Sequence, residues 1–155
     1  MLRISKLADY ATVLLTTMAA EPARLHSSQC LAEASRLEQT TVAKLLKQLG
    51  QAGLLTSARG AAGGYRLARV PALITVADIL LAVEGPVGLT ECSVHQGLCG
   101  HELFCGTRAN WRKLHAAIDA ALRSVTLADM AAPSRDWQPQ VTVTRRPDAV
   151  LRDPA

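Results

Sequence analysis

Three of the four cysteines in this 155-residue chain, Cys92, Cys99 and Cys105, fall in one short stretch punctuated by Gly97, Gly100 and Gly106. Thiolates are soft ligands that suit zinc and iron-sulfur clusters, and a glycine-punctuated loop lets three of them converge without a helix or strand holding them apart. The spacing C-x6-C-x5-C is wider than that of structural zinc sites, whose cysteines pair two to four residues apart. It therefore favours an iron-sulfur centre over zinc, and either over metal-free redox thiols, because no C-x-x-C pair is present. A cluster normally takes four protein ligands. His101 and His95 lie in the same segment, whereas Cys30 stands far upstream on a helical stretch, where a small buried hydrophobe is expected.

The elements that must position these residues follow from pattern. Hydrophobic residues make up 49% of the chain and aromatic ones 3%, with Ala and Leu supplying most of the apolar volume, so a mainly α protein is expected. Ile4, Leu7, Ala11, Leu14 and Met18 form one helical stripe in residues 3–20. A second helix is expected from a Ser27 or Ser28 cap to about Arg36, and a third from Gln39 to Ala52 that buries Val42, Leu45, Leu46 and Leu49. Gly53 stops it, and residues 54–57 and 65–68 read as the strands of a β-hairpin wing around a glycine-rich loop. Thr75 and Asp78 form a capping box for a helix through Val83, with Ile74 stapled against Ile79. A single long helix is then expected over about 107–128, with Trp111, Leu114, Ile118, Ala121 and Val125 as an a/d seam that invites a second copy.

The expected layout is a winged helix-turn-helix domain over residues 1–85, a cysteine-rich loop over 86–106, a C-terminal dimerisation helix over 107–130 and a disordered tail over 131–155. Residues 1–75 hold nine Lys and Arg against four Asp and Glu, a local charge of +5. Such an excess suits a phosphate backbone. Gln39, Thr40 and Thr41, on the outward face at the start of the third helix, are the candidate base readers; Lys44 and Lys47 would neutralise phosphates. Arg59, at the wing tip beside Gly60, could enter a minor groove.

The segment LLKQLGQAGLLTSARGAAGGYRLAR (residues 45–69), the opening MLRISKLADYATVLL and the three cysteines resemble the iron-sulfur-sensing winged-helix transcription regulators of the IscR and NsrR type. The chain is most similar to the branch that regulates the SUF iron-sulfur assembly operon. The resemblance implies a homodimer on double-stranded promoter DNA, with a [2Fe-2S] or [4Fe-4S] cluster on Cys92, Cys99 and Cys105. The IscR type adds a histidine three residues after the last cysteine, where this chain has Arg108, a permanent cation that cannot ligate. NsrR-type relatives instead take an aspartate from the first helix of the partner subunit, and Asp9 occupies the matching position. A cluster bridged in that way would set the spacing of the two recognition helices.

No phosphate loop, nucleophile elbow or catalytic carboxylate pair is present, so no enzyme is expected. Nor is there an apolar run near the roughly 20 residues a membrane span needs or a signal-peptide pattern. A cytoplasmic transcriptional regulator, acting as a repressor of iron-sulfur assembly genes, is the expected function. The alternatives are a metal-free thiol redox switch and a zinc-stabilised DNA-binding protein.

Overall fold

The computed structural model describes residues 3–60, 63–86, 88–90, 93, 97, 99–100 and 104–132. Helix α1 (Lys6–Ala19) starts at Ser5, whose hydroxyl accepts the Ala8 N–H. It buries Ala8, Ala11, Leu14, Leu15 and Met18. Ile4 was expected to open the buried stripe but lies ahead of the cap and is 51% exposed; with the helix beginning at Lys6, Ala8 and Leu15 join the stripe instead.

Helix α2 (Ser28–Ser35) is capped by the Ser27 hydroxyl, which accepts the Cys30 N–H. It ends on Arg36 in the left-handed region at φ 56°. Of its eight residues only Leu31 and Ala32 are buried, so Cys30, expected inside, is exposed. Helix α3 (Gln39–Gln51) buries Val42, Leu45, Leu46 and Leu49 completely, the i, i+3, i+4, i+7 stripe read from the sequence. It stops where the Leu54 N–H bonds the Leu49 carbonyl at 3.0 Å and Gly53 takes φ 73°.

Strands β1 (Leu55–Ala58) and β2 (Gly64–Leu67) pair antiparallel, with Leu55 opposite Leu67 and Ala58 opposite Gly64. Strand β1 starts one residue later than expected because Leu54 closes the end of α3, and β2 starts one residue earlier, at Gly64 opposite Ala58. The α1–α2 loop adds an isolated bridge to β2: His26 and Tyr65 exchange backbone hydrogen bonds of 2.8 and 2.9 Å. A 3-10 turn (Pro71–Leu73) leads into α4 (Val76–Glu84), where Thr75 and Asp78 form the expected capping box and Ile74 and Ile79 are both fully buried.

The expected single C-terminal helix is two. Helix α5 (Arg108–Ser124) ends at Val125, which is extended, and α6 (Leu127–Ala131) begins at a second capping box, Thr126 with Asp129. The sequence T-L-A-D at 126–129 repeats the T-V-A-D that opens α4. The chain turns back at this point: the Val76 N–H bonds the Val125 carbonyl at 2.9 Å, and the Leu127 N–H bonds the Ile74 carbonyl at 2.7 Å. Val125 is thereby removed from the helical seam, and Leu127 enters the same core as Leu14, Leu46 and Ile79.

If burial of Leu127 holds this turn in place, Leu127→Ala should cost about 2–5 kcal/mol, the usual range for emptying a core leucine site. Denaturant unfolding checks it; a cost near zero would mean that α6 does not dock.

Candidate functional site

The candidate site has two halves, the polar face of α3 with the wing, and the cysteine segment. On α3 the core stripe leaves Gln39, Thr40, Lys44 and Lys47 exposed and Thr41 half-buried, all on the polar side. The N-cap Glu38 makes no side-chain capping bond, so the first turn rests on core packing rather than on its cap. In the wing, Arg59 and Gly60 are exposed, and Gly60 takes φ +111°. Gly64 is required for a different reason: a Cβ there would lie 2.6 Å from the His26 carbonyl oxygen. The backbone approach that ties the wing to the α1–α2 loop thus needs a residue without a side chain.

Two features of this half were not anticipated. His26 is 6% exposed, and its Nε2 lies 3.3 Å from the Glu21 carbonyl. No signal in the sequence marks it, because its partner Tyr65 lies in a distant segment. Arg66 is exposed on β2, where its Nε donates to Thr56 Oγ1 at 3.3 Å. The alternation of exposed Arg66 with buried Leu67 would have placed this further cation on the wing surface.

In the thiol half, Cys99 and Cys105 are half-buried free thiols. Cys92, His95 and His101 lie outside the described residues. Cys105 sits just ahead of α5. The Thr107 hydroxyl, 3.3 Å from Sγ, and the Thr107 N–H pull its thiol below the ordinary cysteine range, helped by the Arg108 N–H and the Arg108 charge. Among the described residues no three His, Cys, Asp or Glu side chains gather as a metal site. The donor chemistry nevertheless fits a soft metal: among the described residues the segment offers two free thiols, and the contacts of one of them lower its pKa, which favours the thiolate that metals bind.

Asp9 is exposed in the first turn of α1, off the buried stripe. That turn is tied to the other half of the site, because the Ser5 N–H donates to Glu84 Oε1 at 2.8 Å. Glu84 is the last residue of α4, just before the cysteine segment departs. Arg108, at the position where the resemblance would place a histidine, opens α5.

A recognition helix with an outward polar face, a wing braced on the same core and a cysteine segment beyond them define a winged helix-turn-helix DNA-binding regulator. The chain belongs to the Rrf2 family, described as iron-dependent transcriptional regulators, which matches residues 4–133. The structure of CymR, the global cysteine regulator of B. subtilis, is similar with a TM-score of 0.66 and 31% identity, covering 84% of this chain and 97% of that one. T. potens IscR is similar with a TM-score of 0.64 and 31% identity, covering 88% and 93%. The transcriptional regulator NsrR of Bacillus subtilis (strain 168) is 27% identical over 137 residues, 87% of this chain and 94% of that protein. Among the described residues no helix is long and apolar enough to cross a membrane.

The contacts around Cys105 set its reactivity. In metal-free protein, alkylation of Cys105 followed by peptide mass spectrometry should show a pH midpoint below the roughly 8.5 of a free thiol, and Thr107→Val should move that midpoint upward. A midpoint at or above the free value would refute the assigned hydrogen bonds.

Proposed function

We propose that this regulator is a homodimeric transcriptional repressor of SUF-type iron-sulfur assembly genes, whose operator affinity is set by an iron-sulfur cluster on Cys92, Cys99 and Cys105. The observation that carries the reading is the placement of Cys105, a free thiol whose Sγ lies 3.3 Å from the Thr107 hydroxyl at the start of α5, in a segment that follows α4 where Glu84 binds the α1 turn bearing Asp9. The family's description as iron-dependent supports the same choice of metal. Asp9 of the partner subunit is the proposed fourth donor, with His101 as the rival. When bound, the cluster supplies a centre whose assembly and loss can respond to the cell's iron-sulfur status. The protein's own part is to hold the thiolates, place an oxygen donor and carry the change to two recognition helices.

On DNA, Gln39, Thr40 and Thr41 read base edges in the major groove, Lys44 and Lys47 neutralise phosphates, and Arg59 with Gly60 brings the wing to the minor groove. A second reading, a metal-free thiol switch, draws on the same depressed Cys105 thiol and on the likeness to a cysteine regulator. The two diverge when metal is assayed.

Anoxically purified protein should contain iron and acid-labile sulfide, with charge-transfer absorption near or above about 400 nm. Cys92→Ala should abolish both, and Asp9→Ala should make the cluster more labile. Protein without sulfide, whose operator affinity still follows thiol oxidation, would establish the switch instead, and stoichiometric zinc would establish the structural alternative.

The DNA contacts are separable by salt. Lys44→Gln should weaken binding to all sequences alike and reduce the salt slope by about one, whereas Thr40→Ala should relax preference at one base position by about 1–3 kcal/mol. Equal behaviour of the two variants across salt and sequence would overturn the division of roles.

A further inference from the structure

Helices α4 and α5 form an antiparallel pair, pinned at one end by the Thr75–Thr126 bridge and the Val76–Val125 hydrogen bond and joined at the other through the cysteine segment. Between them lies a cleft of about 180 Å³. Among the described residues, its lining includes no cysteine, no candidate DNA reader and not Asp9. Ala77 and Leu81 of α4, with Pro86 and Leu122, supply apolar lining; α5 adds His115, Asp119 and Arg123 on successive turns. Leu81 is 52% exposed although it lies within α4, so apolar surface faces an open concavity. Arg123 Nε donates to Asp119 Oδ2 at 2.7 Å, an i, i+4 pair that fixes a cation and an anion side by side. That bond uses one guanidinium nitrogen and one carboxylate oxygen, leaving the Nη edge and the second oxygen for other partners.

We infer that this cleft binds a small zwitterion, an α-amino acid with a short uncharged side chain. Asp119 takes the ammonium, Arg123 and His115 take the carboxylate, and the side chain lies over Leu81 and Ala77. The volume, equivalent to about six waters of liquid, matches a small amino acid and falls short of the roughly 300 Å³ at which drug-sized sites begin. A plain anion would meet Asp119, and a plain amine would meet Arg123; only a molecule carrying both charges is matched by the pair.

Binding there bears on regulation through α4, which packs on α1 and α3 as well as on α5. Beyond the pinned end α5 meets α4 through side chains that are only partly buried, so a ligand between the two helices can bear on how they pack. A ligand that fits one inclination better than others shifts the population by its difference in affinity. This site is independent of the iron-sulfur reading, since it shares none of its ligands.

Full-length protein titrated with L-valine or L-serine should show saturable heat and a rise in Tm of about 3 °C, with neither response to acetate or methylamine at equal concentration. Asp119→Asn and, separately, Leu81→Gln should weaken binding about tenfold while the helical circular dichroism stays unchanged, both residues being partly exposed. Two variants guard against misfolding of either one. No saturable binding by either amino acid up to about 20 mM, well beyond a millimolar Kd, or acetate binding as strongly as L-valine, would overturn the assignment.

Discussion

The constraint on which the rest depends is the burial of one stripe of α3. Val42, Leu45, Leu46 and Leu49 are each fully excluded from solvent and belong to the same core as Leu14, Leu15 and Met18 of α1. Burying such side chains stabilises by about 1.5–3 kcal/mol each, so rolling α3 to expose them would cost as much as a small domain's whole stability. The outward direction of Gln39, Thr40, Lys44 and Lys47 is therefore enforced from behind. Their own side chains contribute nothing to it, which leaves them available to DNA. The wing is held by the same core, through Leu55 and Leu67 paired across the strands.

Helix α4 extends that constraint toward the cysteine segment. It packs on α1 and α3 on one side and α5 on the other, and its last residue, Glu84, accepts the N–H of Ser5 at the start of α1. Close-packed interiors do not deform continuously, so a change at the cysteine segment or at α5 would reach α3 as a small rigid shift. Half-sites on DNA are spaced by whole helical turns, and in the proposed dimer a rigid shift of the two recognition helices is a change to which such spacing would respond.

How much of this was legible in the sequence depended on how local the deciding interaction was. The α3 stripe and the Thr75 capping box are written in neighbouring residues, and both stand in the structure as read. The candidate readers were legible as the complement of the stripe. At Val125 two local signals competed, an a/d spacing that continues and a T-x-x-D box that restarts, and burial of Leu127 decided for the box. Cys30 misled because α2 is short and buries only two residues. His26 was invisible because backbone pairing with Tyr65 and the contact with Gly64 cross the fold.

Arg108 shows what a single substitution does to the chemistry of the thiol half. A histidine there could share a metal; a guanidinium cannot, being without a lone pair to donate. It still acts on the site, since its charge and N–H help hold Cys105 below the ordinary thiol range after the larger contribution from Thr107. Three thiolates around an iron-sulfur core form an anionic assembly, and a fixed cation beside one of them favours that charge without occupying a coordination position. On the proposed reading the fourth donor comes from elsewhere, and an oxygen donor such as Asp9 would be harder and bind iron less firmly than sulfur. Such a site would favour a cluster's charge yet release the cluster easily, and in a regulator that combination would tie DNA affinity to supply.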